Sequence, residues 1–366
     1  MKKNIREVHA WPIERNEEYI FFSDRVVGGL YYLKGISEKV KCEITPVELK
    51  RIGITMVNSI CFFEENIILI PGYLYEPVAL YNFKRKSFEL IDPLSKKTDT
   101  SEKGFVCESK LIIVTHSSNV AIYEIDLLGG AVQRHKYSDG RIHKSWLPFI
   151  FGGDIFIPGT DEKKLWKYSS GELYMYDIPI NEKIMSIIPD EIEKEKLWLY
   201  TTSLERIYGI NKEGELLEII NTGIESDQGN LIRIYQIGKC FFLLHSVEGI
   251  IIFNKETGKK AQFVLDEKYK INNYKDILPC IYLGLVKEKD KFIFISFANT
   301  TIELSYKDGN IISQQLIIEL PKEIRTSFIW ASMFNYWQKP ENDYYKEDAI
   351  HTLERYLGYV EERGEI

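Results

Sequence analysis

Chemical signatures are scarce in this chain of 366 residues. Its cysteines number only 5, namely Cys42, Cys61, Cys107, Cys240 and Cys280, and they are widely separated. An odd, scattered set excludes a disulfide framework and a thiolate zinc site. Most lie in or beside apolar runs, where free cysteine behaves as a small buried hydrophobe. No run approaches the roughly 18 apolar residues of a membrane-spanning helix, so membrane insertion is not expected. Met1-Lys2-Lys3-Asn4-Ile5-Arg6-Glu7 has no apolar core behind its lysines and does not read as a signal peptide. A cytoplasmic location is the resulting expectation. Net charge is −7, with Lys and Arg spread along the chain. Without a basic stripe, a nucleic-acid partner is not expected. Also missing are a Gly-x-Ser-x-Gly elbow, a His-Glu-x-x-His helix, a phosphate loop and a calcium loop. No cofactor and no metal is expected, and no catalytic residue can be assigned.

What the chain has in quantity is strand-forming sequence. It carries 23 Tyr and 19 Phe, side chains that suit pleated, half-buried surfaces. Apolar cores beginning at Ile20, Ile67, Leu111, Ile155, Leu197, Phe241 and Phe292 recur at steps of 47, 44, 44, 42, 44 and 51 residues. Each core is a continuous apolar run such as Ile67-Ile68-Leu69-Ile70 or Leu197-Trp198-Leu199-Tyr200. Continuous runs mark strands buried on both faces.

A third strand follows each core after a polar loop, as in Ala79-Leu80-Tyr81-Asn82. A turn then contains Gly35, Gly129-Gly130, Gly171, Gly214, Gly258 or Gly309; the second unit has Lys84-Arg85-Lys86-Ser87 instead. Fourth strands read as a more polar outer edge. Innermost strands are expected just before each core, the first at residues 5–10. A period of this size, built from strands, predicts an all-β, seven-bladed β-propeller over residues 1–320, each blade a contiguous stretch. In the tail, Ile350, Leu353, Leu357 and Val360 share one helical face, which predicts a helical extension over residues 321–366.

The turn Phe253-Asn254-Lys255-Glu256-Thr257-Gly258-Lys259 resembles the repeat of quinoprotein-like and YVTN-type propellers, echoed at Tyr123–Asp126 and Tyr208–Gly214. The resemblance implies architecture over residues 5–320. The Trp of the quinoprotein repeat is missing after the turn, which argues against a quinone cofactor.

Binding in such an architecture is expected on loops at one end of the ring. The loops after the second strands hold Tyr73 and Tyr75, His116, and His245 with Glu248. A longer polar loop, 136–146, holds Arg141, His143, Lys144 and Trp146, a set able to grip an anion or a sugar acid. The expected function is a non-catalytic binding or scaffold role toward a protein, peptide or glycan. The alternative is a carbohydrate-active lyase or hydrolase using His116, His143, His245, Arg141 and acidic residues at the channel mouth.

Overall fold

A computed structural model of the protein describes residues 13–317 apart from 17, 24–27, 35–39, 97–98, 116–120, 137–147, 160–162, 183, 202–204, 225–230, 246–248, 264–281, 288–290, 297–299 and 308–309. The expected residues 5–10 and the expected extension 321–366 lie outside this set.

Seven four-stranded antiparallel sheets follow one another along the chain. The first is β1 (Ile13–Arg15), β2 (Tyr19–Phe22), β3 (Leu30–Lys34) and β4 (Lys41–Ile44). The second is β5 (Val57–Phe63), β6 (Asn66–Pro71), β7 (Val78–Asn82) and β8 (Ser87–Ile91). The third is β9 (Ser101–Cys107), β10 (Lys110–Thr115), β11 (Ala121–Asp126) and β12 (Val132–Lys136). The fourth is β13 (Phe149–Phe151), β14 (Asp154–Gly159), β15 (Lys164–Ser169) and β16 (Glu172–Asp177). The fifth is β17 (Ile184–Pro189), β18 (Lys196–Thr201), β19 (Arg206–Asn211) and β20 (Leu216–Asn221). The sixth is β21 (Leu231–Ile237), β22 (Cys240–His245), β23 (Gly249–Asn254) and β24 (Lys260–Phe263). The seventh is β25 (Tyr282–Lys287), β26 (Lys291–Ser296), β27 (Thr300–Lys307) and β28 (Asn310–Ile317).

Within every sheet the strands pair in chain order, so each sheet is one contiguous stretch. First strands lie side by side at β1–β5, β5–β9 and β17–β21, and β1 also lies beside β25, which brings the first and last sheets together. The ring therefore closes by packing between whole sheets. The inner strand of the first sheet is Ile13–Arg15, C-terminal to the expected 5–10.

The core explains the continuous apolar runs. In β6, Ile67 and Leu69 join Phe21, Leu30 and Ile44 of the first sheet. The alternate residues Ile68 and Ile70 join Leu111 and Ile113 of the third. The pattern repeats in β18, where Leu197 and Leu199 meet Phe156 and Leu165, while Trp198 and Tyr200 meet Phe241 and Leu243. Side chains alternate across a strand, so a strand sandwiched between two sheets must be apolar at every position. Each fully buried Leu or Ile contributes about 1.5–3 kcal/mol relative to exposure.

Close approach is needed where inner strand β9 packs against β6 of the neighbouring sheet. A Cβ on Gly104 would stand 1.9 Å from Ile70 Cδ1. Gly104→Ala is therefore expected to cost about 1–3 kcal/mol through overpacking. Ile70→Val removes the atom that is struck, and in the double variant should restore part of that loss. Urea unfolding of the four members of the cycle checks this; strictly additive costs would show that the two residues do not collide.

Hairpins between third and fourth strands share a device. The Asn254 side chain accepts from the Glu256 and Thr257 amides at 3.0 Å each, and Gly258 takes φ 67°. Asn82 accepts from the Arg85 amide at 2.8 Å, and Lys86 takes φ 54°. The glycine missing from the second unit is thus replaced by a lysine in the left-handed region. Its ammonium packs 4.0 Å from the centre of the Phe83 ring.

Two expectations need correction. Outer edges are not uniformly polar: β20 exposes Leu216, Leu217 and Ile219. The outer strand has a neighbour on one side only, so its apolar side chains stay in solvent. Cysteines also differ, since Cys42 on outer strand β4 is exposed while Cys61 and Cys240 are buried. Burial pushes the Cys61 thiol up to about 12, so it is inert at neutral pH.

A short helix, α1 (Pro46–Arg51), was not anticipated. Its signal lies in Thr45-Pro46-Val47-Glu48. Thr45 Oγ1 accepts from the Glu48 amide at 3.2 Å, and the Glu48 carboxylate accepts from the Thr45 amide at 2.7 Å. Pro46 opens the first turn, and together these form a capping box.

Candidate functional site

Antiparallel order puts the loops between second and third strands at the same end of a sheet as the linkers to the next sheet. The loop 72–77, between β6 and β7, sits at that end and is held firmly. The Leu74 amide donates to Asp99 O at 2.8 Å, the Ser95 amide to Leu74 O at 2.9 Å and the Glu76 amide to Tyr73 O at 3.0 Å. Tyr73 also forms a bridge with Thr100. At the base of the loop the Gly72 amide donates to Met56 O at 2.8 Å. A Cβ on Gly72 would lie 2.1 Å from Met56 Cε.

Below the loop, Leu74 is fully buried and Glu76 is 4% exposed. The Glu76 carboxylate accepts from Thr55 Oγ1 at 2.5 Å and from the Thr55 amide at 3.1 Å. Above it stand Tyr73 and Tyr75, 36% and 45% exposed. Their rings stack with centroids 5.2 Å apart and planes 16° from parallel. Residues 73–76 form a tight turn closed by the Glu76–Tyr73 backbone bond, which leaves Leu74 and Glu76 buried and the two tyrosines at the surface.

Three charged groups brace the same end. Asp99 accepts from Arg134 Nη2 at 2.6 Å, from the Tyr123 hydroxyl at 2.9 Å and from Ser95 Oγ at 3.1 Å. Glu182, in the linker between β16 and β17, accepts from the Tyr208 hydroxyl at 2.5 Å and from Thr201 Oγ1 at 2.7 Å. Burial raises the Tyr208 hydroxyl, and the bond to Glu182 adds to that rise. On the inner strands, Lys103 of β9 pairs with Glu14 of β1 at 3.0 Å. Because β5 neighbours both β1 and β9, this pair reaches across β5. Both partners are about one-third exposed, 35% and 37%, so the bridge contributes only about 0.2–1 kcal/mol.

The opposite end carries a groove of about 480 Å³ lined by Glu64, Glu65, Asn66, Asn82, Arg85 and Glu89, among others. Its Glu65 is tied to Lys84 at 2.6 Å.

Among the residues singled out from sequence, the structure brings Tyr73 and Tyr75 together. His116, Arg141, His143, Lys144, Trp146 and Glu248 lie outside the described residues. His245 ends β22 opposite Gly249 of β23; its side chain lies outside the description. Sequence reading gave Glu76 no role, and it missed Asp99 and Glu182 altogether. Nothing local marks those two, because their partners come from neighbouring strands.

No family model matches the chain, and no curated protein matches it in sequence. Many solved structures match in shape. YCF48 bound to D1 peptide superposes with TM-score 0.59 at 9% identity, covering 79% of this chain and 91% of that one. Virginiamycin B lyase from Staphylococcus aureus gives 0.53 at 12% identity, covering 72% and 84%. The computationally designed Ika8 protein gives 0.56 at 9% identity, covering 85% and 88%.

The fold is a β-propeller. At such identities the likeness extends to architecture alone. In this propeller, loop 72–77 is one of the loops at the end where second strands hand over to third strands. No described helix is long and apolar enough to cross a membrane.

Proposed function

We propose that this protein is a non-catalytic binding propeller whose loop 72–77 presents Tyr73 and Tyr75 to a segment of a partner protein. The observation that carries this reading is the exposed, stacked tyrosine pair on a loop fixed from below. Ordered aromatic side chains give a large contact area with little entropy left to lose on binding. Tyrosine is also among the residues enriched at energetic hot spots. A peptide is the favoured partner because an extended chain can lie along a short ridge of this width. YCF48, a protein of the same fold, is found with a peptide.

A displayed random peptide library, selected on the immobilised protein, tests the reading. Selected peptides should lose about 10- to 100-fold in affinity for Tyr73→Ala/Tyr75→Ala, as expected when two hot-spot residues are truncated. Circular dichroism of the variant should match the parent and its thermal midpoint should fall only slightly, since both rings lie at the surface and stack on each other rather than in a core. Selected peptides that bind the variant equally well would overturn the assignment of the site. A glycan array showing tyrosine-dependent binding, with no peptide selected, would overturn the partner class.

A further inference from the structure

The charges around the tyrosine pair narrow the kind of segment it would take. This inference rests on the binding reading above. Helix α1 ends beside loop 72–77: the Gly53 amide donates to Lys50 O at 3.1 Å, and a Cβ on Gly53 would touch Pro77 Cδ at 3.4 Å. Lys50 and Arg51, in the last turn of α1, are both exposed. On the linker that bonds to Leu74, Lys96 follows Ser95 and is also exposed. None of the three forms an ion pair among the described residues.

Three of the nearby carboxylates are already engaged, while Asp92, at the far end of the linker that carries Lys96, is exposed. Glu48 is folded back onto Thr45 in the capping box. Glu76 is buried on Thr55, and Asp99 is bonded to Arg134 at 2.6 Å. Cations are therefore left open on the two segments that pack against the loop. The chain as a whole is acidic, at −7, so this local excess runs against the general field. One structural role for Lys50 and Arg51 is complementing the C-terminal end of α1. That role does not account for Lys96, which lies on a different segment.

We infer that the Tyr73–Tyr75 ridge, flanked by Lys50, Arg51 and Lys96, receives an acidic peptide segment carrying at least one apolar side chain. The apolar side chain would pack on the tyrosine ridge, and the carboxylates would meet the flanking cations. Rim charges of this kind act mainly on the rate of encounter and on partner choice, and they weaken as salt screens them.

Fluorescence anisotropy with three labelled decapeptides of matched length tests this. One alternates Glu with Leu and Phe, one replaces Glu by Gln, and one replaces Glu by Lys. Binding of the acidic probe is expected in the micromolar range, about tenfold tighter than the Gln probe and weaker at high salt. Lys50→Gln/Arg51→Gln/Lys96→Gln should abolish that preference, with the thermal midpoint lowered only slightly by the loss of the charges at the end of α1. Lys96→Gln alone, which leaves α1 untouched, should lower the preference in part. If the Gln or Lys probe binds as well as the acidic one and still needs Tyr73 and Tyr75, the acidic inference fails and the binding reading stands. If the acidic probe binds but ignores the tyrosine substitutions, both fail. No saturable binding of the acidic probe up to about 1 mM also overturns the inference.

Discussion

Replacing Asp190 with alanine is expected to destabilise the protein by about 3–5 kcal/mol, the usual cost of removing one partner from a buried, hydrogen-bonded charge pair. Asp190 follows β17, and its side chain is 0% exposed. It accepts from the amides of Ile192 at 2.6 Å and Glu193 at 2.8 Å, from Lys255 Nζ at 3.0 Å and from the indole N–H of Trp198. Alanine would leave all of these donors unmet. Lys255 would suffer most, being only 13% exposed and placed over the Trp198 ring at 4.9 Å.

The same network sets a pH dependence. Burial by itself would push the Asp190 carboxyl up, but the bonds from Glu193, Ile192, Lys255 and Trp198 outweigh it and hold the carboxyl below its ordinary value. A depressed carboxylate contributes stability that is fully present above the unfolded value of about 3.9 and is lost as pH falls through the lower folded value. The gap between parent and Asp190→Ala should therefore be constant near neutrality and shrink below about pH 4. Urea unfolding followed by tryptophan fluorescence at several pH values reads both effects. A loss under about 1 kcal/mol at neutral pH would show that the carboxylate is not the hub of this network.

Glu76→Ala should lower stability by about 1.5–3 kcal/mol, the range for a hydrogen bond to a charged group. It should also weaken partner binding without removing any partner contact. Glu76 is 4% exposed and faces away from solvent, yet it ties loop 72–77 to Thr55. Without it, Tyr73 and Tyr75 would have to be ordered again on binding, a cost of about 0.5–1.5 kcal/mol per side chain. Glu76→Gln keeps one acceptor and should recover much of the loss. Hydrogen exchange at the Leu74 and Glu76 amides reads the loop directly. Unchanged protection in Glu76→Ala would mean that the loop is held by its backbone bonds alone.

These two residues show where sequence reading stops. Glu76 sat visibly between two tyrosines and a proline, but its burial depends on Thr55, 21 residues earlier. Asp190 is 65 residues from Lys255, on a different sheet. The Lys103–Glu14 bridge joins groups 89 residues apart. By contrast, the capping box of α1 is written in Thr45-Pro46-Val47-Glu48, because its two partners stand three residues apart.

The sequence alone determined the strand order within each sheet, the continuity of each sheet along the chain and the burial of second strands on both faces. Those features follow from side-chain alternation and hairpin turns, which act over a few residues and repeat with the unit. Tertiary structure alone decided which polar groups meet: Glu76 with Thr55, Asp190 with Lys255, Lys103 with Glu14. Such meetings join residues 21 to 89 positions apart, within one sheet or between sheets of the ring, and no short-range pattern records them.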